Sequence, residues 1–272
     1  MAKVIFWNEN ENLNNSTDVA IAVATSISKN YKTRSILMQT NFQNRKIESS
    51  FTPYDELKSS GVFENRDIGI GALLKTIVSN KLTATVVTNY AKPVLKERLD
   101  VMYGVVSSEK EQHTLMLSNL PYIVKKADEV YDLVFIDLAK GTSNNDIKSV
   151  IDDGDVIVYV LDQDSIKLED YLINIENNEY LKNKSKIIVL ANYDDKSKYN
   201  VWNIKKRYRV KDPIFTLPYN FVYQDSLNDG NVIDFFYRNT NLDKGDYNGE
   251  FVNEVNNIVS KVIELSKIKD YQ

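Results

Sequence analysis

Between two apolar runs, Val4-Ile5-Phe6-Trp7 and the segment from Val19 to Ile27, the chain reads Asn8-Glu9-Asn10-Glu11-Asn12-Leu13-Asn14-Asn15-Ser16-Thr17-Asp18. Strand, polar loop and helix N-terminus form the frame in which backbone N–H groups converge on a phosphate while lysine supplies positive charge. The frame is present, but its chemistry is replaced: this stretch holds no glycine and no lysine. Asparagine enters left-handed backbone conformations, so the loop can still turn. It cannot bring a cation, and Glu11 would repel a phosphate. The asparagines at 8, 10, 12, 14 and 15 are able to satisfy one another and the orphan N–H groups of the helix that follows. Asn14, Asn15, Ser16 or Thr17 would serve as its cap, and Asp18 suits the positive end of its dipole. A plain capped turn without ligand is the favoured reading, ahead of weak nucleotide binding.

Other candidate chemistry is sparse. The densest positive patch is Lys205-Lys206-Arg207-Tyr208-Arg209 with Lys211. It offers a DNA contact through counterion release. A solvated helix face is favoured, because acids at 194, 195 and 212 dilute it. Asn192, in Ala191-Asn192-Tyr193-Asp194-Asp195, suits either a hydrogen bond to a base edge or an Asx turn. With no cysteine, disulfides and thiolate metal sites are excluded, and a single histidine, His113, excludes a multi-histidine site. His113 reads as a helix-surface residue. The 17 tyrosines scatter along the chain rather than marking one surface.

The bulk numbers bound the rest. A length of 272 residues with 43% hydrophobic content supports a sizeable core. Lysine and arginine total 34 against 38 acids, a net charge of −4, which argues against a strongly basic nucleic-acid binder. No run approaches the about 18 apolar residues of a membrane span, and no signal pattern opens the chain. A cytoplasmic protein without membrane insertion is expected. Only 9 glycines are present, few for a fold whose backbone must approach phosphate.

The elements that must position these residues are legible as buried runs: Val4–Trp7, Ser35–Met38, Leu99–Tyr103, Leu133–Ile136, Val156–Leu161, Ile187–Leu190 and Ile214–Leu217. Stretches of helical length lie between them. The pattern predicts an α/β fold with a doubly wound, mostly parallel sheet and helices on both faces. Residues 45–98 read as mostly helix, 114–129 and 167–182 as further helices. In 249–268 the apolar positions from Phe251 to Leu265 form a broad face that would pack on the sheet. Its polar face carries Glu254 and Glu264, which argues against a membrane-targeting amphipath. One domain over 1–272 is expected.

The order and spacing of these pieces resemble the ParA/MinD family of deviant Walker ATPases over nearly the whole chain. Members of that family carry Lys-Gly-Gly-x-Gly-Lys-Thr-Thr after the first strand. The matching octet here is Asn10-Glu11-Asn12-Leu13-Asn14-Asn15-Ser16-Thr17. The family's Asp-x-Asp pair and following Gln correspond to Gln39-Thr40-Asn41 and Gln43. Its Tyr-Asp-x-x-x-x-Asp-x-x-x-Gly corresponds to Tyr131 through Asp137 to Gly141. An Asn after the sixth strand fits Asn192, and a base-flanking Pro fits Pro218. The stretch from Ile68 to Gly104 looks closest to pilus-assembly localisation proteins of the Tad/Cpa type.

The resemblance implies a P-loop NTPase-like fold. It also implies a degenerate nucleotide site at Asn10, Glu11, Asn12, Asn14, Asn15, Ser16, Thr17, Gln39, Asp137, Gly141, Asn192 and Pro218. Ser16 and Asp137 would be magnesium ligands only if a magnesium nucleotide binds. A charge-assisted hydrogen bond is worth about 1.5–3 kcal/mol, so losing both lysines would weaken binding roughly a hundredfold to ten-thousandfold. Turnover should suffer more, because the carboxylate that handles the attacking water has become neutral Gln39. Without a metal, buried Asp137 would need Ser16, Thr17 or backbone N–H groups as partners.

The expectation is therefore a non-catalytic pseudo-ATPase, with no cofactor, acting as a scaffold or positioning protein. Its partner would be a protein, either another copy or a catalytically intact relative. The alternative is an ATP-binding or ATP-hydrolysing switch with an unusual loop, using ATP and magnesium with Lys140 as the replacement cation. A third reading is DNA binding through Lys205, Lys206, Arg207 and Arg209.

Overall fold

The computed structural model describes residues 1–7, 15–40, 45–59, 68–104, 110–138, 145–166, 168–169, 172, 179–240, 242 and 245–268, without the side chains of 110–113, 145–147 and 179–180. Asn10, Glu11, Asn12, Asn14, Asn41, Gln43, Lys140 and Gly141 lie outside them, as does the side chain of His113.

Eight strands form one sheet: β1 (Ala2–Trp7), β2 (Ser35–Gln39), β3 (Lys92–Leu95), β4 (Leu99–Met102), β5 (Leu133–Leu138), β6 (Val156–Leu161), β7 (Ser185–Tyr193) and β8 (Ile214–Pro218). Their order is β3-β4-β2-β5-β1-β6-β7-β8, parallel throughout except β3 against β4. The seven predicted apolar runs are the seven parallel strands. The antiparallel edge strand β3 falls in the segment read as helix. It is short, only half-buried and contains Pro93, which suits an edge where one side needs no ladder donor. The remainder of that segment is helical, at Lys46–Phe51, Tyr54–Ser59, Gly69–Val78 and Ala84–Tyr90.

Side chains alternate between the two faces, and each face has its own core. Val4 and Phe6 of β1, Leu37 of β2, Leu133 and Phe135 of β5, and Val158 of β6 face one side. There they meet α1 (Asn15–Asn30) and the C-terminal helix Tyr247–Ser266, whose Val255, Ile258, Val259 and Val262 are buried as the sequence pattern implies. Ile5, Trp7, Ile36, Met38, Val134 and Ile136 face the other side, against Lys110–Asp128 and its neighbours. Every α1 residue from Ser16 to Ser28 is buried. Such a helix, apolar on nearly every side, is stable only when packed around much of its circumference. Of the predicted helix 167–182, the described part includes Glu179–Lys182. Among the described residues no helix is long and apolar enough to cross a membrane.

β1 lies centrally, between β5 and β6, and the crossovers on its two sides run in opposite directions along the sheet. In open α/β sheets, ligands gather outside the carboxyl ends of strands at such a reversal. That is where β1 ends and α1 begins.

Candidate functional site

Strand parity decides what faces the start of α1. Asp137 continues the Leu133–Phe135 alternation of β5, so its carboxylate points to the α1 side and is buried. The Ser16 hydroxyl donates to its Oδ1 at 2.8 Å and the Thr17 hydroxyl to its Oδ2 at 2.6 Å. Both oxygens therefore accept from the first turn of α1. Burial, with the charge of Asp18 adding to it, pushes the carboxyl up to about 6 despite those two donors.

Asn15 stands where the octet's second lysine would be. Its amide donates to Asp162 Oδ1 at 2.6 Å, just beyond β6. Its carbonyl oxygen accepts from Asn192 Nδ2 at 3.3 Å. Asn192 is no ordinary Asx turn. It takes a left-handed φ of 50° inside β7, where the pairing with β8 shifts register. Asn15 thus ties the ends of β6 and β7 to the start of α1. Pro218 closes β8, and exposed Tyr219 and Phe221 follow it.

Gln39 shares the parity of Leu37, so it also faces this side. Its amide donates to Glu48 Oε2 at 2.8 Å, and the backbone N–H of Gly104 donates to Glu48 Oε1 at 2.8 Å. Glu48 lies on α2 (Lys46–Phe51), and burial pushes its carboxyl up. Among the described residues the oxygen of Gln39 has no hydrogen-bond partner. Asp18 is buried in the first turn of α1. It pairs with Lys46 at 2.5 Å and accepts from Gln224 at 2.9 Å. The residue that would cap α1 precedes Asn15 and lies outside the described chain.

The structure thus brings together Asn15, Ser16, Thr17, Asp137 and Asn192, with Gln39 beside Asp137 in the β2–β5 register. It adds Lys46, Glu48 and Asp162, which sequence reasoning missed. Asp162 carried one faint signal, as the first polar residue after an apolar strand; Lys46 and Glu48 carried none. Among the described residues no group of three or more acids and histidines is arranged to hold a metal ion.

The basic residues lie elsewhere, on the helix Val201–Tyr208 and its left-handed C-cap Arg209. Lys205, Lys206, Arg207 and Arg209 are exposed, as a solvated face requires. Two of the three acids expected to dilute them are engaged with other groups: Asp212 pairs with Lys186 at 3.6 Å, and Asp194 accepts from the N–H of Lys196.

Solved structures superpose on more than nine tenths of this chain. A ParA family ATPase from Chlorobium tepidum matches at a TM-score of 0.70 with 14% identity, over 93% of this chain and 97% of its own. This is the ParA/MinD fold. A Borrelia burgdorferi plasmid partition protein bound to AMPPNP matches at 0.66 with 16% identity, over 98% of this chain and 99% of its own. The MinC:MinD cell division complex of Aquifex aeolicus shares the ParA/MinD fold with this chain at 0.67 and 11% identity, over 96% of each. No protein-family model and no curated protein matches the sequence.

Proposed function

We propose that this protein is a non-catalytic member of the ParA/MinD fold, a scaffold or positioning protein whose phosphate-loop frame is held together by its own polar side chains. The observation that carries this reading is Asn15, whose amide is bound to Asp162 and Asn192 where the fold's catalytic relatives would place a lysine on phosphate. A carboxylate beside that position repels a triphosphate rather than neutralising it. The residues present fit half of a magnesium nucleotide. Ser16 and Asp137 are oxygen donors suited to a hard cation. The phosphate side does not fit, because Asn15 is neutral and Lys46 is paired with Asp18. No catalytic step is assigned.

The fold's solved examples include a complex with a second protein, MinC, and a plasmid partition protein. A protein partner is accordingly proposed here, either another copy or an intact relative, in the cytoplasm. The competing switch reading draws on the contact between Ser16 and Asp137, the pair a magnesium ion would use. Isothermal titration with magnesium and ATP separates the two. The scaffold reading expects no saturation below about 1 mM; micromolar binding, at about 8 kcal/mol, would overturn it.

A further inference from the structure

A cavity of about 490 Å³ opens beside the helix Val201–Tyr208, on the sheet face opposite α1. Lys198, Lys206 and Arg207 wall it, together with the rings of Tyr199 and Tyr208, and Asn203 lies beside buried Ile204. The helix is built to present these groups. Asn200 caps it by accepting from the N–H of Asn203 at 3.0 Å, and Ile204 is its buried anchor. Lys205, Lys206 and Arg207 are thereby turned outward.

Two features separate this place from an ordinary solvated charge run. First, among the described residues none of Lys198, Lys206 and Arg207 is within ion-pair distance of a carboxylate. Glu169 lies near enough to act on Tyr208, and Asp212 is taken by Lys186. Second, each cation is held over an aromatic face: Lys198 at 5.4 Å from Tyr199, Arg207 at 5.3 Å from Tyr208 and Lys206 at 4.8 Å from Trp202. Trp202 is 67% exposed, a heavy commitment of apolar surface to water. The Tyr199 phenol is lowered by its hydrogen bond to Ser165 and by the charges of Lys198 and Arg207.

We propose that this cavity binds a phosphate monoester carried on a flat ring, a nucleoside monophosphate unit, at a site separate from the loop frame. Lys198, Lys206 and the Arg207 fork hold the phosphate, since a planar guanidinium matches two phosphate oxygens. The base stacks on a phenol face not covered by its cation, a contact that tolerates any base because each has a π-face. The volume lies within the about 300–1,000 Å³ of small-molecule pockets. An acidic peptide would meet the cations but bring no flat ring to the phenols. The unit has two sources, a free mononucleotide or the 5′-phosphorylated end of a strand.

The test uses the full chain. Binding of 5′-AMP is followed by calorimetry and by the emission of Trp202, the only tryptophan besides buried Trp7. Saturable binding is expected, with adenosine weaker than 5′-AMP and with K206Q/R207Q weakening it by about tenfold or more. Both replaced side chains are exposed, so circular dichroism should show the fold unchanged. A hexanucleotide with a 5′-phosphate, set against the same strand with a 5′-hydroxyl, distinguishes the sources. Phosphate-dependent strand binding tighter than 5′-AMP assigns the strand end; the reverse order assigns the free nucleotide. Four results overturn the proposal: no saturation by about 10 mM 5′-AMP, equal affinity in the double variant, strands bound at least as tightly as 5′-AMP with or without the 5′-phosphate alike, or a polyglutamate peptide bound more tightly than 5′-AMP.

Discussion

Replacing Ser16 and Thr17 together by alanine removes both donors to Asp137, at 2.8 and 2.6 Å, and leaves a carboxylate buried beneath the start of α1. Hydrogen bonds to charged groups are worth about 1.5–3 kcal/mol each, so the naive loss is about 3–6 kcal/mol. Protonation limits it. The native carboxyl already titrates at about 6, so at about pH 7.5 it can take up a proton for about 2 kcal/mol rather than remain an unpaired anion. The two lost neutral hydrogen bonds add about 1 kcal/mol each. The expected loss is therefore about 2–4 kcal/mol near neutral pH, measured by urea denaturation. At about pH 5.5 the carboxyl is largely protonated in the wild type as well, so the loss should fall to about 1–2 kcal/mol. Adding Asp137→Asn to the double variant removes the charge and should abolish that pH dependence. A loss under about 0.5 kcal/mol, or one equal at both pH values, would refute the claim that these hydroxyls serve the carboxylate.

Three further outcomes are expected. Asp137 has its carboxyl raised from 3.8 to about 6, so its protonation contributes stability that is fully present below pH 3.8 and lost as pH rises through about 6. Wild type should lose about 3 kcal/mol relative to Asp137→Asn across that window, and a flat difference between the two curves would contradict it. Buried Glu48 acts in the same direction, so Glu48→Gln should flatten part of the remainder. Gly230→Ala should destabilise by more than the about 1–2 kcal/mol of a left-handed alanine. Gly230 has φ +73°, and an added Cβ would stand 2.3 Å from the Thr52 carbonyl carbon and 2.4 Å from Pro53 N. Unchanged thermal stability in that variant would rule out the packing described.

Much of the sheet was legible because parallel strands buried on both faces read as unbroken apolar runs, as in Val156–Leu161. β3 was not, since Lys92–Leu95 is a half-buried edge whose Pro93 breaks the pattern. The candidate site was legible where chemistry depends on residue type. Ser16 and Thr17 as partners for Asp137 follow from a buried acid that needs donors close by. The pairing of Lys46 with Asp18 and that of Glu48 with Gln39 were not legible, because no spacing along the chain indicates that α2 folds back over the ends of β2 and α1.

The amino-acid sequence by itself determined the α/β layering, the identity of the parallel strands and the lack of a cation at position 15, all properties of local pattern and residue type. Only the tertiary structure decided what the Asn15 amide does. Asp162 and Asn192 are 147 and 177 residues away along the chain and meet it solely because β6 and β7 end beside the start of α1. The same holds for the cavity beside Val201–Tyr208. Lys206 and Arg207 were visible in a charge run and Lys198 was not, and whether acids neutralise them depends on side-chain directions that sequence distance does not report. Asp212 lies three residues from Arg209 and turns instead to Lys186.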